Sequence, residues 1–249
     1  MPVEPKLAAT VILLRDRTPN IESDDDCEFE VFMAKRHENA RFMSEHHVFP
    51  GGSIDEQDTT KESRARIVGF NENIVKNLNE ICVDPSDLWI IATRELFEEV
   101  GILIATKKSR NSHGKIENKP KKLKKYQKQL QTNRITMTDV LTNENLFYSA
   151  SSLKYFGRFI TPELSPIRFD TQFFLCKFPQ KQHINLFYDE LTEGLWGSPR
   201  QLIKNFKKKQ IKLIFPQYST LKRLKKFKTI NELFENSKFV SSHNRLNDF

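Results

Sequence analysis

The chain has 249 residues, of which 38% are hydrophobic and 29% charged, a balance typical of a folded globular domain. No apolar run reaches the ~18 residues that cross a bilayer, so we expect no membrane insertion. The net charge of +8 is uneven, because residues 107–128 carry +9 and residues 194–231 carry +11, which leaves −12 for the rest. Since potential is local within a Debye length of ~10 Å, this pattern argues against a uniformly basic nucleic-acid-binding surface.

The first half of the chain predicts two strands and two helices. The strands are Lys6–Leu14 and Phe29–Lys35, because β-branched and other apolar residues dominate them. Apolar residues at three- and four-residue spacing predict an amphipathic helix over residues 61–81. The clearest helix is Leu88–Val100, with Ser86 or Asp87 as its cap and Gly101 as its stop.

The second half continues the mixture of strands and helices. We expect a short strand at Ile102–Ala105 and a solvated basic loop or frayed helix over residues 106–132. The remaining elements are predicted strands at Leu153–Ile160 and Phe169–Phe178 and predicted helices at Ser198–Phe206 and Tyr218–Lys228. Strands and helices interspersed without a repeat favour one layered α/β domain over residues 1–249.

Three cysteines, Cys27, Cys82 and Cys176, lie far apart and form no Cys-x-x-Cys pair. We therefore expect reduced, buried thiols in an intracellular protein, without a zinc site or a disulfide framework. Residues 1–14 are expected to form an opening strand, not a targeting peptide. The cytosol is the default location, and Asn247-Asp248-Phe249 is not a Ser-Lys-Leu peroxisomal signal.

Three glutamates, Glu95, Glu98 and Glu99, follow one another at i, i+3 and i+4. On a helix this spacing places the three carboxylates on one face, where like charges repel. A divalent cation would relieve the repulsion, and hard oxygen ligands favour Mg²⁺ or Mn²⁺, often together with substrate phosphates. The alternative is an ordinary acidic helix face exposed to water.

The segment from Arg94 to Ile102, RELFEEVGI, resembles the right half of the Nudix box, G-x5-E-x7-R-E-U-x-E-E-x-G-U, where U is aliphatic. The segment matches every specified position of that half. The left half departs from the pattern, because Asp58 stands at the first glutamate position, counted from Gly52, and 35 residues separate it from Arg94. The chain thus has an insertion within the box, at residues 59–88.

The insertion and several neighbouring segments resemble the peroxisomal acyl-coenzyme A diphosphatase subfamily of Nudix hydrolases. These segments are HVFPGG at residues 47–52, TPELSPIRFDTQFF at residues 161–174 and FPQYSTL at residues 215–221. The resemblance implies an α/β/α Nudix fold, a mixed β-sheet sandwiched between helices. It also leaves a peroxisomal location open.

The resemblance further implies hydrolysis of the diphosphate bond of coenzyme A or acyl-coenzyme A, giving 3′,5′-ADP and the 4′-phosphopantetheine part. Glu95, Glu98 and Glu99 would hold Mg²⁺ or Mn²⁺, and the catalytic residues would be Glu98, Glu99 and Arg94. Arg94 would orient the glutamates through charge-assisted hydrogen bonds. The insertion is expected to pack beside the cleft and shape the acyl or pantetheine pocket.

Two arginines are candidates for binding the substrate. Coenzyme A-cleaving Nudix proteins carry two arginines five residues apart before Phe-Pro-Gly-Gly, and Arg36 and Arg41 have that spacing, although Glu45 stands where the motif has glycine. The resemblance implies that both arginines bind substrate phosphates. Gly51 and Gly52, in a predicted tight turn, would let the backbone approach closely. The alternative is two surface arginines at a strand end.

Several alternatives stay open. His46 or His47 could act as a general base, but packing beside the turn is favoured. The basic segments favour solvated surface or attraction of phosphates over nucleic-acid recognition, because aromatic residues are not interleaved with the lysines. Other nucleoside diphosphate-linked substrates (a nucleotide sugar, a dinucleotide or an RNA cap) and a non-catalytic binding module are the rival functions. The oligomeric state, the acyl-chain preference and the physiological metal are not specified by the sequence.

Overall fold

The computed structural model describes residues 3–17, 25–40, 43–70, 84–108, 120–237 and 240–242. Four sequence predictions lie wholly or partly outside these ranges: the role of Arg41, the burial of Cys82, the helix over residues 71–81 and the basic loop over residues 109–119. Within the described residues, Cys27 and Cys176 are free and buried, as expected.

The strands form a large sheet and a small one. The large sheet contains β1 Lys6–Asp16, β2 Phe29–Arg36, β3 His47–Val48, β4 Gly51–Ser53, β8 Leu153–Ile160, β9 Phe169–Lys177, β10 Leu191–Gly197 and β11 Val240–Ser242. The small sheet contains β5 Ile67–Val68, β6 Ala105–Thr106 and β7 Phe147–Ser149. The main order is β10-β2-β1-β9-β8-β11, with β3 paired to β2 and β4 paired to β1. β1 and β9 are parallel and most other pairs are antiparallel, so the sheet is mixed.

The described helices are α1 Lys61–Ala65, α2 Ser86–Val100, α3 Pro120–Gln131, α4 Met137–Asn143, α5 Pro199–Lys207, α6 Phe215–Leu224 and α7 Ile230–Asn236. Among the described residues, no helix is both long and apolar enough to cross a membrane.

The large sheet lies between two helical layers. Val11 and Leu13 of β1 belong to a core cluster with Leu88 and Trp89 of α2. The alternate residues of β1, such as Ile12, lie in a second cluster with residues of α5, α6 and α7. The uninterrupted apolar run in β1 therefore reflects a central strand that is covered on both faces. This arrangement confirms the predicted α/β/α fold.

The outer surface of α2 is also covered. Ile90 and Phe97 of α2 pack with residues from α3, α4 and β7 in a third cluster. α2 is consequently buried along most of its length, between the large sheet and a layer of shorter elements. The helix that carries the three glutamates is thus held from both sides.

The helix predicted over residues 61–81 is confirmed at residues 61–65 and is wrong at residues 66–70. α1 ends at Ala65, and residues 67–68 form β5, which pairs with β7. Gly69 follows with a φ of +73°, a left-handed conformation that stops regular structure and that glycine adopts without strain. The apolar residues thus serve a strand and a turn here, despite their helical spacing.

Other boundaries also differ from the predictions. The strand expected at Ile102–Ala105 lies at Ala105–Thr106. Residues 120–131 of the predicted basic loop form the regular helix α3, whose Gln127 and Leu130 are buried. The basic segment is therefore an integral layer of the fold in this part, because a few buried residues anchor one face while its lysines stay exposed.

The two described ends of the insertion contact each other and the outer layer of the fold. Arg64 on α1 donates two hydrogen bonds of 2.7 Å to the buried carboxylate of Asp87 at the start of α2. Ser63 Oγ lies 2.6 Å from Thr138 Oγ1 on α4. The described part of the insertion therefore packs against the outer layer.

Candidate active site

The helix α2 is stabilised at both ends. Its first turn is capped by Asp84, whose carboxylate accepts hydrogen bonds of 2.9 and 2.7 Å from the Ser86 N–H and hydroxyl. The predicted cap at Ser86 or Asp87 is therefore wrong, since both residues lie inside the helix. Gly101, with a φ of +72°, ends the helix as predicted.

The last four carbonyl groups of α2 all accept hydrogen bonds. Gly101 N–H donates to the Phe97 carbonyl, Phe187 N–H to the Glu99 carbonyl and Asn185 N–H to the Val100 carbonyl, each at 2.9 Å. The Glu98 carbonyl accepts from the side-chain amides of Gln127 and Gln131, at 3.0 and 2.6 Å. These contacts satisfy groups that a helix end otherwise leaves unpaired, and they fix the turn that carries Glu98 and Glu99.

All three glutamates line one cavity of about 1570 Å³. Gly51, Gly52 and Arg36 line the same cavity. The structure thus brings together these six residues that the sequence analysis singled out. The relative side-chain exposures of Glu95 and Glu98 are 13% and 19%, and Glu99 is buried.

Arg94 is the centre of a buried ionic network. Its Nε and Nη2 each lie 2.8 Å from the carboxylate oxygens of Asp58. Its Nη1 lies 2.9 Å from Glu95 Oε1 and 2.9 Å from Glu98 Oε2, and Nη2 also donates to the Ser53 carbonyl at 2.9 Å. Asp58 therefore connects the left half of the box to the right half despite the insertion.

Gly51 and Gly52 are required by different close contacts. Gly51 has a φ of +156°, and a Cβ there would lie 2.4 Å from the Ala9 carbonyl oxygen. A Cβ at Gly52 would lie 2.5 Å from Glu95 Oε1. The Gly51 N–H donates a 2.8 Å hydrogen bond to Glu99 Oε2. The predicted turn lies at Phe49 and Pro50, which connect β3 to β4, whereas the two glycines begin β4 and let two glutamate carboxylates approach the backbone.

Burial makes the charged form of each of the three carboxylates costly, and Arg94 offsets part of this cost for Glu95 and Glu98. Burial raises the pKa of Glu95 to about 7 and also raises the pKa of Glu98. Burial, together with the charge of Glu95, raises the pKa of Glu99 well above its ordinary value, and the charge of Arg36 acts in the opposite direction. Arg36 is thus close enough to Glu99 to influence its ionisation.

The donor set fits a hard divalent cation in its chemistry, since it consists of carboxylate oxygens on one side of a cavity. Gly52 also leaves room for the Glu95 carboxylate where a side chain would displace it. As oriented, however, no three Asp, Glu, His or Cys side chains within the described ranges form a metal-binding group. Glu95 and Glu98 are instead paired with Arg94. The arginine therefore reduces part of the repulsion between the glutamates, which the sequence analysis expected a metal ion to reduce alone.

The two histidines do not lie among the lining residues of the cavity. His46 Nδ1 is 2.9 Å from the Ser44 carbonyl oxygen. His47 is buried, its Nε2 lies 3.9 Å from Glu193 Oε1, and burial lowers its pKa. These environments match the packing role that the sequence analysis favoured over a general base.

The cavity walls include segments that spacing arguments did not identify. The described lining contains residues of β8, β9 and the start of α6, together with Phe187 and Glu190, but none from residues 59–70 or 84–88. The expectation that the insertion shapes the pocket is therefore wrong for its described part. Only the resemblance of residues 161–174 and 215–221 to a known family pointed to these walls.

The fold and the glutamate-bearing helix define a Nudix-fold domain. A family model described as "NUDT19 Nudix domain" matches residues 63–224, which is more than half of the chain. The chain belongs to this family.

Curated relatives and a solved structure agree with this assignment. The chain is 28% identical over 245 residues to "Acyl-coenzyme A diphosphatase NUDT19" of Xenopus laevis, with 86% of the chain and 64% of the relative covered. The Homo sapiens protein of the same name is 23% identical over 235 residues, with 82% and 63% covered. The chain thus spans less than two thirds of each relative. The fold is similar to a crystal structure of a NUDIX hydrolase from Alicyclobacillus acidocaldarius, with a TM-score of 0.74, 24% identity and coverage of 94% and 96%.

Proposed function

We propose that this protein is a diphosphatase that hydrolyses coenzyme A or acyl-coenzyme A, with Mg²⁺ or Mn²⁺ as its cofactor. The products would be 3′,5′-ADP and the free or acylated 4′-phosphopantetheine. The names of the Xenopus laevis and Homo sapiens relatives support this substrate class. Nudix hydrolases generally use divalent metal ions, in agreement with the oxygen donors of the cavity.

The observation that carries the proposal is the position of Glu95, Glu98 and Glu99. They lie on one turn of a rigidly held helix, at a cavity that also contains Arg36, Gly51 and Gly52. Proteins bind metal-complexed phosphates with carboxylates that hold the metal ion and with an arginine that pairs with the phosphate. The same arrangement supports treating residues 1–249 as a single catalytic domain.

Each residue has a role in this proposal. Glu95, Glu98 and Glu99 would hold the metal after the carboxylates of Glu95 and Glu98 turn from Arg94, while Glu99 keeps its hydrogen bond from the Gly51 N–H. A bound divalent cation stabilises charge on the phosphoryl oxygens and lowers the pKa of the attacking water. Arg94 positions the glutamates, while Arg36 binds a substrate phosphate.

The reaction adds one water across the diphosphate bond. The water oxygen bonds to one phosphorus, the bridging P–O bond breaks, and the bridging oxygen leaves with the other phosphate. The rigid helix end and the Gly51 N–H hold Glu99 beside the reacting groups throughout. Positioning and charge stabilisation are the main requirements of such phosphoryl transfer.

Product analysis by chromatography tests this function. Purified protein is incubated with Mg²⁺ or Mn²⁺ and with coenzyme A, several acyl-coenzyme A esters, ADP-ribose, NADH or capped RNA. We expect metal-dependent release of 3′,5′-ADP from coenzyme A or its esters. The Glu99→Gln variant should keep the fold but lose at least about 100-fold in kcat, because it removes a charged ligand and retains the shape.

A matched control is Glu62→Gln, which changes an exposed glutamate on α1 outside the cavity. It should retain wild-type turnover. Cleavage of only another substrate would replace the coenzyme A assignment while retaining the metal site. The absence of any cleavage, combined with metal-dependent thermal stabilisation by one of these compounds, would identify a binding module instead.

A further inference from the structure

The cavity extends beyond the glutamates into a second region. This region is lined by Phe159 on β8, Phe173 on β9, and Ile214 and Phe215 at the start of α6. The rings of Phe159 and Phe215 lie 5.9 Å apart. We call this region the β8–α6 lobe. Its apolar lining suits a largely uncharged part of a ligand.

The lobe contains a buried polar group without a partner. Gln217 on α6 lines the cavity and is only 7% exposed. Its Oε1 accepts no hydrogen bond from the residues that the structure describes. A buried carbonyl oxygen in this state costs free energy, and a ligand N–H donor would remove that cost once the side chain turns its enclosed oxygen toward the cavity.

The charges of the cavity distinguish the two ends of a diphosphate-linked substrate. In the sheet, β2 with Arg36 and β8 with Phe159 lie on opposite sides of β1. The glutamates lie between them, because Glu95 and Glu99 contact β4, which pairs with β1. The phosphate-rich adenosine end therefore suits the Arg36 side.

Two charged residues, Arg168 and Glu163, line the cavity at the lobe. Arg168 lines the cavity there, but its Nε and Nη1 donate to the carbonyls of Thr161 and Val3, at 3.0 and 2.7 Å. Glu163 is exposed at the rim. An uncharged arm with amide N–H groups matches this lining better than a second phosphorylated group does.

We infer that the β8–α6 lobe is the subsite for the amide-bearing pantetheine arm, and that the Gln217 carbonyl accepts a hydrogen bond from one of its amide N–H groups. This inference rests on the proposed function for its choice of substrate. Gln217 is then a specificity-determining residue and takes no part in bond cleavage. It acts on affinity for one half of the substrate only.

The test measures binding of the two product halves separately, by calorimetry with Mg²⁺ present. The probes are 4′-phosphopantetheine and 3′,5′-ADP, and the variant is Gln217→Met, which keeps the length of the side chain and removes the acceptor. We expect affinity for 4′-phosphopantetheine to fall about tenfold, as for the loss of one buried hydrogen bond. Affinity for 3′,5′-ADP should stay unchanged. Gln210→Met, at an exposed position, is the matched control and should bind both probes as the wild type does.

Four results of these binding measurements would contradict the inference. An equal loss for both probes, a loss for 3′,5′-ADP alone, unchanged binding in Gln217→Met or no binding of 4′-phosphopantetheine by the wild type would each overturn the inference. A thermal melt of Gln217→Met that matches the wild type excludes unfolding as the cause of a loss. If the wild type cleaves no coenzyme A but binds 4′-phosphopantetheine through Gln217, the proposed activity fails and the subsite stands.

Discussion

Gly51 and Gly52 are adjacent, yet a methyl group at each position would contact different parts of the site. At Gly52 it would approach the Glu95 carboxylate at 2.5 Å, and the φ of Gly52 lies outside the left-handed region. Gly52→Ala should therefore fold but displace Glu95. With Glu95 in its proposed role as a metal ligand, we expect kcat/KM for the cleaved substrate, measured at saturating metal, to fall about 10- to 100-fold.

Gly51→Ala provides the contrast. The new Cβ would meet the backbone carbonyl of Ala9 at 2.4 Å, at a φ of +156°, so the strain cannot be relieved by moving a side chain. We expect a loss of at least about 1–2 kcal/mol in the free energy of unfolding. If Gly52→Ala were the less stable variant and retained full activity, the assigned contact with Glu95 would be wrong.

The residues of the site were only partly predictable. The i, i+3, i+4 spacing of the glutamates is a local property of a helix, and sequence therefore predicts their common face. The contact between Asp58 and Arg94 joins residues separated by the insertion, and no local periodicity encodes it. Family resemblance aligned the two positions, but the replacement of Glu by Asp left the outcome open until the bidentate pair was observed.

At the scale of elements, α3 acts as a support for the glutamate helix. Gln127 is buried and donates to the carbonyls of Glu98 and Asn185, at 3.0 and 2.8 Å. Gln127→Ala should lower the free energy of unfolding by about 1–3 kcal/mol, because two part-buried carbonyls each lose a donor, although Gln131 still donates to the Glu98 carbonyl. Urea denaturation measures this change.

The neighbouring exposed residue supplies the control. Lys128→Ala removes a positive charge from the same helix without touching α2, so we expect a change within about 0.5 kcal/mol. Equal effects of the two substitutions would show that general helix propensity, and not the contact with Glu98, determines the stability of this region.

The two misjudged elements share a physical cause. The helical apolar spacing continues beyond α1 through residues 66–70, but pairing of β5 with β7 and the left-handed Gly69 override it there. Residues 120–131 are mostly lysine and polar, yet Leu130 and the Gln127 amide anchor a helix on α2. In both cases the partner lies far along the chain, and tertiary contacts outweigh weak local preference.

At the scale of the whole molecule, the cavity is assembled from segments spread over most of the chain. Its described lining extends from Ala8 on β1 to Gln217 on α6. The strands that bring these segments together are central and apolar, and their patterns made the α/β/α fold predictable. The location of the lobe was not predictable from residue spacing, because it depends on β1, β9 and β8 lying side by side in one sheet.

This interdependence predicts that the domain unfolds as one unit. The two helical layers pack on opposite faces of the same strands, and the outer layer packs on α2. In the Trp196→Phe variant, Trp89 between α2 and the sheet is the single tryptophan. Its fluorescence and the far-ultraviolet circular dichroism of all helices should show the same urea midpoint in metal-free protein.

The Trp89→Phe variant tests the same point from the opposite edge of the sheet. Trp196 on β10 then reports alone, and its ring packs against Phe32 and Phe178, with centroids 5.2 and 5.4 Å away. Its midpoint should equal the circular dichroism midpoint of the same variant, although both shift because the substitution is in the core. Separate midpoints in either variant would contradict a single domain and would mean that the layer carrying the glutamates can open while the rest of the sheet stays folded.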